Sequence, residues 1–246
     1  MMMKNLFLLI VVLGTLCFVS CSKETEQLQT AKLEDYYPLQ TGKYITYQLD
    51  SLIYLAFGTR DTTVTYQVKY EIDSLIADAQ GRTSYRIFRY IRKTATNAWT
   101  PNGTFMATNA GTRVEFLENN LRFTKLASPL FQGTTWKGHS FIDTYSANST
   151  LQYLDDWDYT YSEVNVPATI GAFNLDQTLT VNQRDEIIGY PDDPGSYSEV
   201  NYGQEKYAQG IGLVYRRFFH SEFQPGNGGY FADGSYGVTY TMIDHN

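Results

Sequence analysis

The chain is poor in the residues that most often carry catalysis or covalent cross-links. Of its 246 residues two are cysteine, Cys17 and Cys21, and three are histidine, His139, His220 and His245. No disulfide can form beyond residue 21, so stability has to come from burial and backbone pairing. His139 stands beside Ser140, which sends the two side chains to opposite faces of a strand. His220 and His245 lack neighbours at zinc-ligand spacing, and no Gly-x-Ser-x-Gly occurs. The sequence therefore offers no catalytic residue, no cofactor motif and no reason to expect an enzyme. Basic residues are scarce as well: 19 Lys and Arg stand against 26 Asp and Glu, a net charge of -7. That balance argues against nucleic acid as a partner. No apolar run reaches the roughly 20 residues that a spanning helix needs.

The longest such run, Leu6 to Val19, is uncharged and follows the single cation Lys4. This is the layout of a secretory signal peptide, which is removed and is not part of the fold. Its ending, Phe18-Val19-Ser20-Cys21, resembles the lipobox of bacterial lipoproteins. The resemblance implies that Cys21 is lipidated, becomes the first mature residue and anchors the chain to a membrane. Residues 22 to 35 are polar and aperiodic, a composition that buries too little to offset the entropy of ordering. Fully extended, such a tether reaches about 45 to 50 Å. The expected division is a signal peptide at 1–20, the lipidated cysteine and tether at 21–35, and one β-rich domain at 36–246.

What the remaining chain has in excess is aromatic: 21 Tyr, 14 Phe and 3 Trp. Tyrosine suits half-buried pleated surfaces, with its ring packed and its hydroxyl wet. From Thr63 to Asp73 the residues Val64, Tyr66, Val68, Tyr70 and Ile72 alternate with polar ones, which implies an antiparallel strand with one buried face. Further strands are expected at Tyr44 to Phe57, Thr83 to Arg92, Leu121 to Leu126, Ser140 to Tyr145, Trp157 to Val166, Asn174 to Ile188, Tyr202 to Ala208, Ile211 to Phe219 and Tyr236 to Ile243. Pro101-Asn102-Gly103 reads as a hairpin or an interruption. No long helix and no internal repeat is found. The fold class is all-β: an antiparallel meander forming a curved sheet, a sandwich or a partly open barrel.

Several phrases occur together: Tyr36-Tyr37-Pro38-Leu39, Gly133-Thr134-Thr135-Trp136-Lys137-Gly138, Asp156-Trp157-Asp158-Tyr159, and Tyr207-Ala208-Gln209-Gly210-Ile211-Gly212-Leu213-Val214-Tyr215. The set resembles a family of uncharacterised Bacteroidetes outer-membrane lipoproteins. That likeness implies an outer-membrane location and a β-rich domain, with the membrane face left open, and it brings no activity. Lys23-Glu24 with Glu26 is similar to the signal that sends some of these lipoproteins to the cell surface, although any polar tether would look alike.

Trp157, Tyr159 and Tyr161 fall on one face of a strand, and Tyr230, Phe231 and Tyr236 lie on or near a Gly-rich loop. All six are candidate ligand-binding residues, because exposed rings stack on sugars, while rings that fill the buried face are the commoner use. Asp155, Asp156 and Asp158 offer hard oxygen ligands, a weak calcium candidate, but no other metal site is expected. The leading reading is a non-catalytic binding or scaffolding module for glycans or an outer-membrane partner protein. A lipid or lipoprotein carrier with an apolar cavity is the alternative, and a carboxylate-dependent hydrolase using those aspartates is a third.

Overall fold

A computed structural model describes residues 31–226 and 228–246. The signal peptide, Cys21 and the tether up to residue 30 lie outside the described residues. The fold is one antiparallel sheet of thirteen strands, nearly closed into a barrel. In chain order these are β1 (Tyr44–Leu55), β2 (Arg60–Ala77), β3 (Thr83–Arg92), β4 (Thr100–Asn109), β5 (Arg113–Glu118) and β6 (Leu121–Ala127). They continue as β7 (Thr135–Lys137), β8 (Asp158–Ile170), β9 (Phe173–Gly189), β10 (Ser198–Ala208), β11 (Gly212–Gln224), β12 (Tyr230–Phe231) and β13 (Tyr236–His245). Around the barrel the order is β6-β5-β4-β3-β2-β1-β13-β11-β10-β9-β8-β7, with β12 paired to β11 alone. The C-terminal strand β13 slots between β1 and β11, so the two halves of the meander are joined by the last strand to be made.

The two end strands of this order meet at a seam sealed largely by side chains. Thr124 N donates to the Gly138 carbonyl at 2.6 Å, and Trp136 Nε1 donates to the Thr124 carbonyl at 2.9 Å. The Tyr161 hydroxyl donates to the Ala127 carbonyl at 2.8 Å and accepts from Ala127 N at 2.9 Å. One buried phenol thus satisfies both backbone groups that a neighbouring strand would otherwise take.

Residues assigned by composition to the end of the tether belong to the fold. Leu33–Tyr36 form a single helical turn, α1, with Leu33 2 % and Tyr36 0 % exposed. The Asp35 carboxylate accepts Lys32 N at 2.7 Å, and the Asp35 carbonyl accepts Gly210 N at 2.7 Å from the β10–β11 turn. Two apolar side chains in a polar stretch are too weak a pattern to read from sequence, but they suffice to dock one turn at one end of the barrel. The opposite end, formed by the β1–β2, β5–β6 and β9–β10 connections, is the far end.

The expected strand at Ser140 to Tyr145 is irregular instead, within the long β7–β8 connection. Ile142 and Thr144 are buried there, so the alternation is real, but no neighbouring strand pairs with it. Pro101 lies inside β4, where the register with β3 slips between Arg89 and Tyr90. A bulge is where a residue without an N–H is tolerated in a sheet.

Glu115 on β5 is 2 % exposed and accepts from Arg82 and Arg113 at 2.7 Å each, and from Arg122. Burial pushes its pKa up, but the three guanidiniums outweigh it and hold the carboxyl at about 2, against 4.5 for a free one. A depressed carboxyl stabilises the fold above its unfolded value and loses that contribution as pH falls through the folded value. Urea midpoints are therefore expected to drop between about pH 5 and pH 2, and Glu115→Gln is expected to flatten that drop. An unchanged pH profile in Glu115→Gln would place the acid sensitivity elsewhere.

Candidate functional site

Backbone alternation decides where the candidate aromatics go. Tyr159 and Tyr161 share the inward face of β8 and are 3 % and 0 % exposed, and Trp157, just before the strand, is 0 % exposed. Their rings pack with Leu179, Val181, Tyr207 and Phe218 in the largest core cluster. Burial pushes the Tyr159 and Tyr161 hydroxyls well above their ordinary range. None of the three presents a face on which a sugar can stack. Tyr236 is 37 % exposed, with its ring stacked on Phe218 at 5.2 Å. Tyr230 is 44 % exposed, and Phe231 stacks on Tyr54 at 4.4 Å, so these two sit apart from the others beside the β1–β2 hairpin.

The aspartates stay on the surface. Lys137 Nζ lies 3.1 Å from Asp158 and 3.6 Å from Asp156, and Asp155 accepts from the Thr144 hydroxyl at 3.3 Å. An ammonium therefore occupies the position that a cation shared by Asp156 and Asp158 would take. Among the described residues, no group of three or more acidic, histidine or cysteine side chains is arranged to hold a metal.

Asp156 and Asp158 have a second role, as one wall of a groove of about 400 Å³ on the outer surface of β8, β9 and β10. Its floor is a row across the three strands, Thr160, Asn182 and Gln204, paired by register. Gln204 Nε2 donates to Asn182 Oδ1 at 2.9 Å. Asp185 and Tyr202, directly opposite each other on β9 and β10, close the other side. The register slips between Gly203 and Gln204, leaving Gln183 as an extra residue on β9, and a bulge of this kind bends the strand. Gly203 permits the bend: a Cβ there would lie 2.7 Å from Gln183 Oε1 and 2.9 Å from Trp157 Cζ3. The buried indole thus supports the groove from beneath.

Arg184 fixes the wall to the floor. Its Nη1 donates to the Asp156 carbonyl at 2.9 Å, and its Nη2 pairs with Glu186. Arg217 lies over the Tyr202 ring at 4.9 Å. Asn182, Arg184, Asp185, Tyr202 and Gln204 have no signature in the sequence. What betrays Asn182, Asp185, Tyr202 and Gln204 is only the outward phase of β9 and β10, Arg184 standing on the other phase opposite Gly203, and their proximity to Asp156 requires the strand order.

No protein-family model matches this chain, and no curated protein is significantly similar to it. Two solved structures are similar to it at low identity. One is a Bacteroides fragilis protein inferred to be exported and described as having a YmcC-like fold. It is 9 % identical with a TM-score of 0.43, over 86 % of this chain and 98 % of that one. The other is a Parabacteroides distasonis protein inferred to be a lipoprotein, 10 % identical with a TM-score of 0.31, over 85 % and 97 % of the two chains.

Inside the barrel the open space is small. A cavity of about 90 Å³ lies toward the α1 end and one of about 180 Å³ toward the far end. Pockets for drug-sized ligands span roughly 300 to 1,000 Å³. The outer groove falls within that range, and neither interior cavity does.

Proposed function

We propose that the chain is an exported, lipid-anchored binding module of the outer membrane, tethered through Cys21, that holds a neutral polyhydroxylated ligand in the β8–β10 groove without transforming it. The groove carries the reading, with its amide, hydroxyl and carboxylate groups converging from three strands over a volume suited to a short glycan. Planar amides and carboxylates pair with vicinal hydroxyls, and Tyr202 adds an aromatic wall. Asp156, Asp158 and Asp185 are matched by Lys137, Arg184 and Arg217 beside them, each already engaged, so the charges balance and a neutral ligand is favoured. A glycosidase sets its two carboxyl groups on opposite sides of the scissile bond. Asp156 and Asp158 share one wall, where both are engaged by Lys137, and Asp185 stands alone on the other. The small interior volumes argue against a carrier for an acyl chain.

The test is a glycan array of neutral, amino-bearing and acidic saccharides probed with the wild-type protein, Asn182→Ala and Tyr202→Ala. Neutral or amino-bearing ligands are expected to bind, with a loss of about ten-fold or more in each variant, as for an unmade ligand hydrogen bond or stacking contact of 1.5–3 kcal/mol. Bound saccharides are expected to be recovered at unchanged mass. In cells of the source organism, Cys21→Ser is expected to move the protein out of the membrane fraction. An empty array, or variants that bind as well as wild type, would sink the assignment to this groove.

A further inference from the structure

At the far end β2 outruns its neighbour. It begins at Arg60, whereas β3 ends opposite Gln67, so among the described residues Arg60 to Tyr66 pair with β1 on one side only. Two contacts fix the direction of the free backbone groups. Ile72 makes both of its hydrogen bonds on the β1 side, donating to the Lys43 carbonyl at 2.8 Å and accepting from Gly42 N at 2.8 Å. The Thr65 carbonyl, in the other phase, accepts from Lys93 Nζ at 2.8 Å. The register with β1 is unbroken from Arg60 to Glu71, and residues of an antiparallel strand direct their N–H and C=O to alternate sides. Asp61, Thr63 and Thr65 therefore direct theirs away from β1. Of these groups only the Thr65 carbonyl has a partner among the described residues.

Two other open edges are guarded. β4 runs past β5 from Thr100 to Phe105, and there it carries Pro101 and a register slip. β8 runs past β7, and that part carries three register slips and Pro167. Proline and bulges are the usual protection of a free edge. Arg60-Asp61-Thr62-Thr63-Val64-Thr65-Tyr66 has neither, and its β-branched residues suit a strand. At roughly 3.3 Å per residue this edge is about 23 Å long, enough for an ordinary strand. Lysine also guards edges, but Lys93 caps one carbonyl and leaves Asp61 and Thr63 open.

The hairpin that carries the edge is held rigidly. Phe231 N donates to the Gly58 carbonyl at 2.9 Å, and a Cβ at Gly58 would lie 1.9 Å from the Phe231 carbonyl oxygen, so β12 packs flush against the turn. An edge fixed beforehand loses less entropy on pairing. Its inward face is apolar and partly open: Val64 and Tyr66 share it with Ile53 and Leu55 of β1, which are 37 % and 44 % exposed. An added strand would direct alternate side chains onto that face. Where β3 stops, Lys93 Nζ lies 4.6 Å from the centre of the Tyr66 ring and sets a positive charge at the end of the open lane. A second copy pairing this edge with itself, antiparallel about Thr63, would bring Arg60 of each copy beside the Lys93 and Tyr66 pair of the other, cation on cation. A lipid surface would leave the free backbone groups without partners.

We propose that the β2 edge from Arg60 to Tyr66 receives an extended segment of another polypeptide as an added strand. Its alternate side chains are apolar, toward Val64 and Leu55, and a carboxylate at one end meets Lys93. The proposal is independent of the groove, which lies on β8, β9 and β10.

The probe is a library of synthetic peptides of about nine residues that alternate Val or Ile with varied polar residues and carry either acidic or neutral ends. Peptides that bind the mature protein are expected to slow hydrogen exchange at the Asp61, Thr63 and Thr65 amides. N-methylation of their alternate amides is expected to weaken them about ten-fold or more. Thr63→Pro deletes an edge N–H without touching the ladder to β1, and it is expected to abolish binding with the far-ultraviolet circular dichroism unchanged. Thr63→Val, which keeps the N–H, is expected to retain it. Lys93→Glu is expected to weaken acidic-ended peptides about ten-fold and neutral-ended ones little. The proposal is overturned if no peptide binds, if binding survives in a folded Thr63→Pro, or if exchange slows only outside this edge. A dimer seen by sedimentation and lost in Thr63→Pro would give the edge to a second copy instead.

Discussion

Lys125→Met is expected to lower the unfolding free energy by about 3–5 kcal/mol, the usual effect of breaking a buried ion pair by removing one partner. The side chains of Lys125 and Glu205 are 7 % and 0 % exposed. With the ammonium gone, Glu205 keeps the Tyr207 hydroxyl and a longer approach to Arg216 at 3.6 Å, too little to replace a charge-assisted contact at 2.6 Å. Burial pushes the Glu205 carboxyl up, but Lys125 and Arg216 reverse that and hold it below the ordinary range. Removing Lys125 lets the burial effect gain ground, so the destabilisation is expected to shrink as pH is lowered and the carboxyl can protonate. The double variant Lys125→Met with Glu205→Leu is expected to recover most of the loss, since an apolar pair of similar volume is often no less stable than the ions it replaces. Urea midpoints at constant m report each value. A single-variant loss below about 1 kcal/mol, the range of exposed pairs, would mean that water reaches Glu205 in the lumen.

This pair also marks where sequence reasoning stops. Strand alternation was legible wherever one face is apolar: the expected strand at Thr63 to Asp73 is the middle of β2, and Thr83 to Arg92 is β3 as it stands. A charge in an alternating strand reads as the wet face, yet Glu205 and Lys125 point into the barrel. Their inward phase becomes visible only when Tyr207 and Phe123 are known to line the same interior. The barrel's closure was equally hidden. It depends on Tyr161 reaching Ala127 and Trp136 reaching Thr124, contacts that no local period encodes. The aromatic stripe Trp157, Tyr159, Tyr161 was visible as a pattern, while the direction it faces is set by the sheet's curvature. For the groove, Asp156 and Asp158 stood out as an exposed acidic pair. Their companions Asn182, Asp185, Tyr202 and Gln204 lie on strands brought alongside by pairing, and a bulge at Gly203 shapes the surface they share.

Trp157→Ala joins the fold to that surface and is expected to cost about 3–5 kcal/mol, the range for deleting a buried large aromatic. Trp157 is 0 % exposed and packs against Phe218 at 5.5 Å and Tyr153 at 6.2 Å between ring centres. Its Nε1 is buried without a hydrogen-bond partner. That unmade bond subtracts about 1–3 kcal/mol from what the ring contributes, so Trp157→Phe, which removes the stranded N–H and keeps an aromatic ring, is expected to cost much less. The groove should register the same change. The backbone at Gly203 rests on the indole at a distance that leaves no room for a methyl group, so deleting the ring lets β10 settle inward and separates Tyr202 and Gln204 from Asn182. Asn182→Ala removes a surface amide that is exposed to solvent, and it should weaken glycan binding with a stability change within about 0.5 kcal/mol. Trp157→Ala should lower both stability and affinity, and Trp157→Phe should restore most of each. Urea midpoints together with glycan titrations on the three variants check this. Full affinity in a destabilised Trp157→Ala would show that the groove keeps its shape without the ring beneath it.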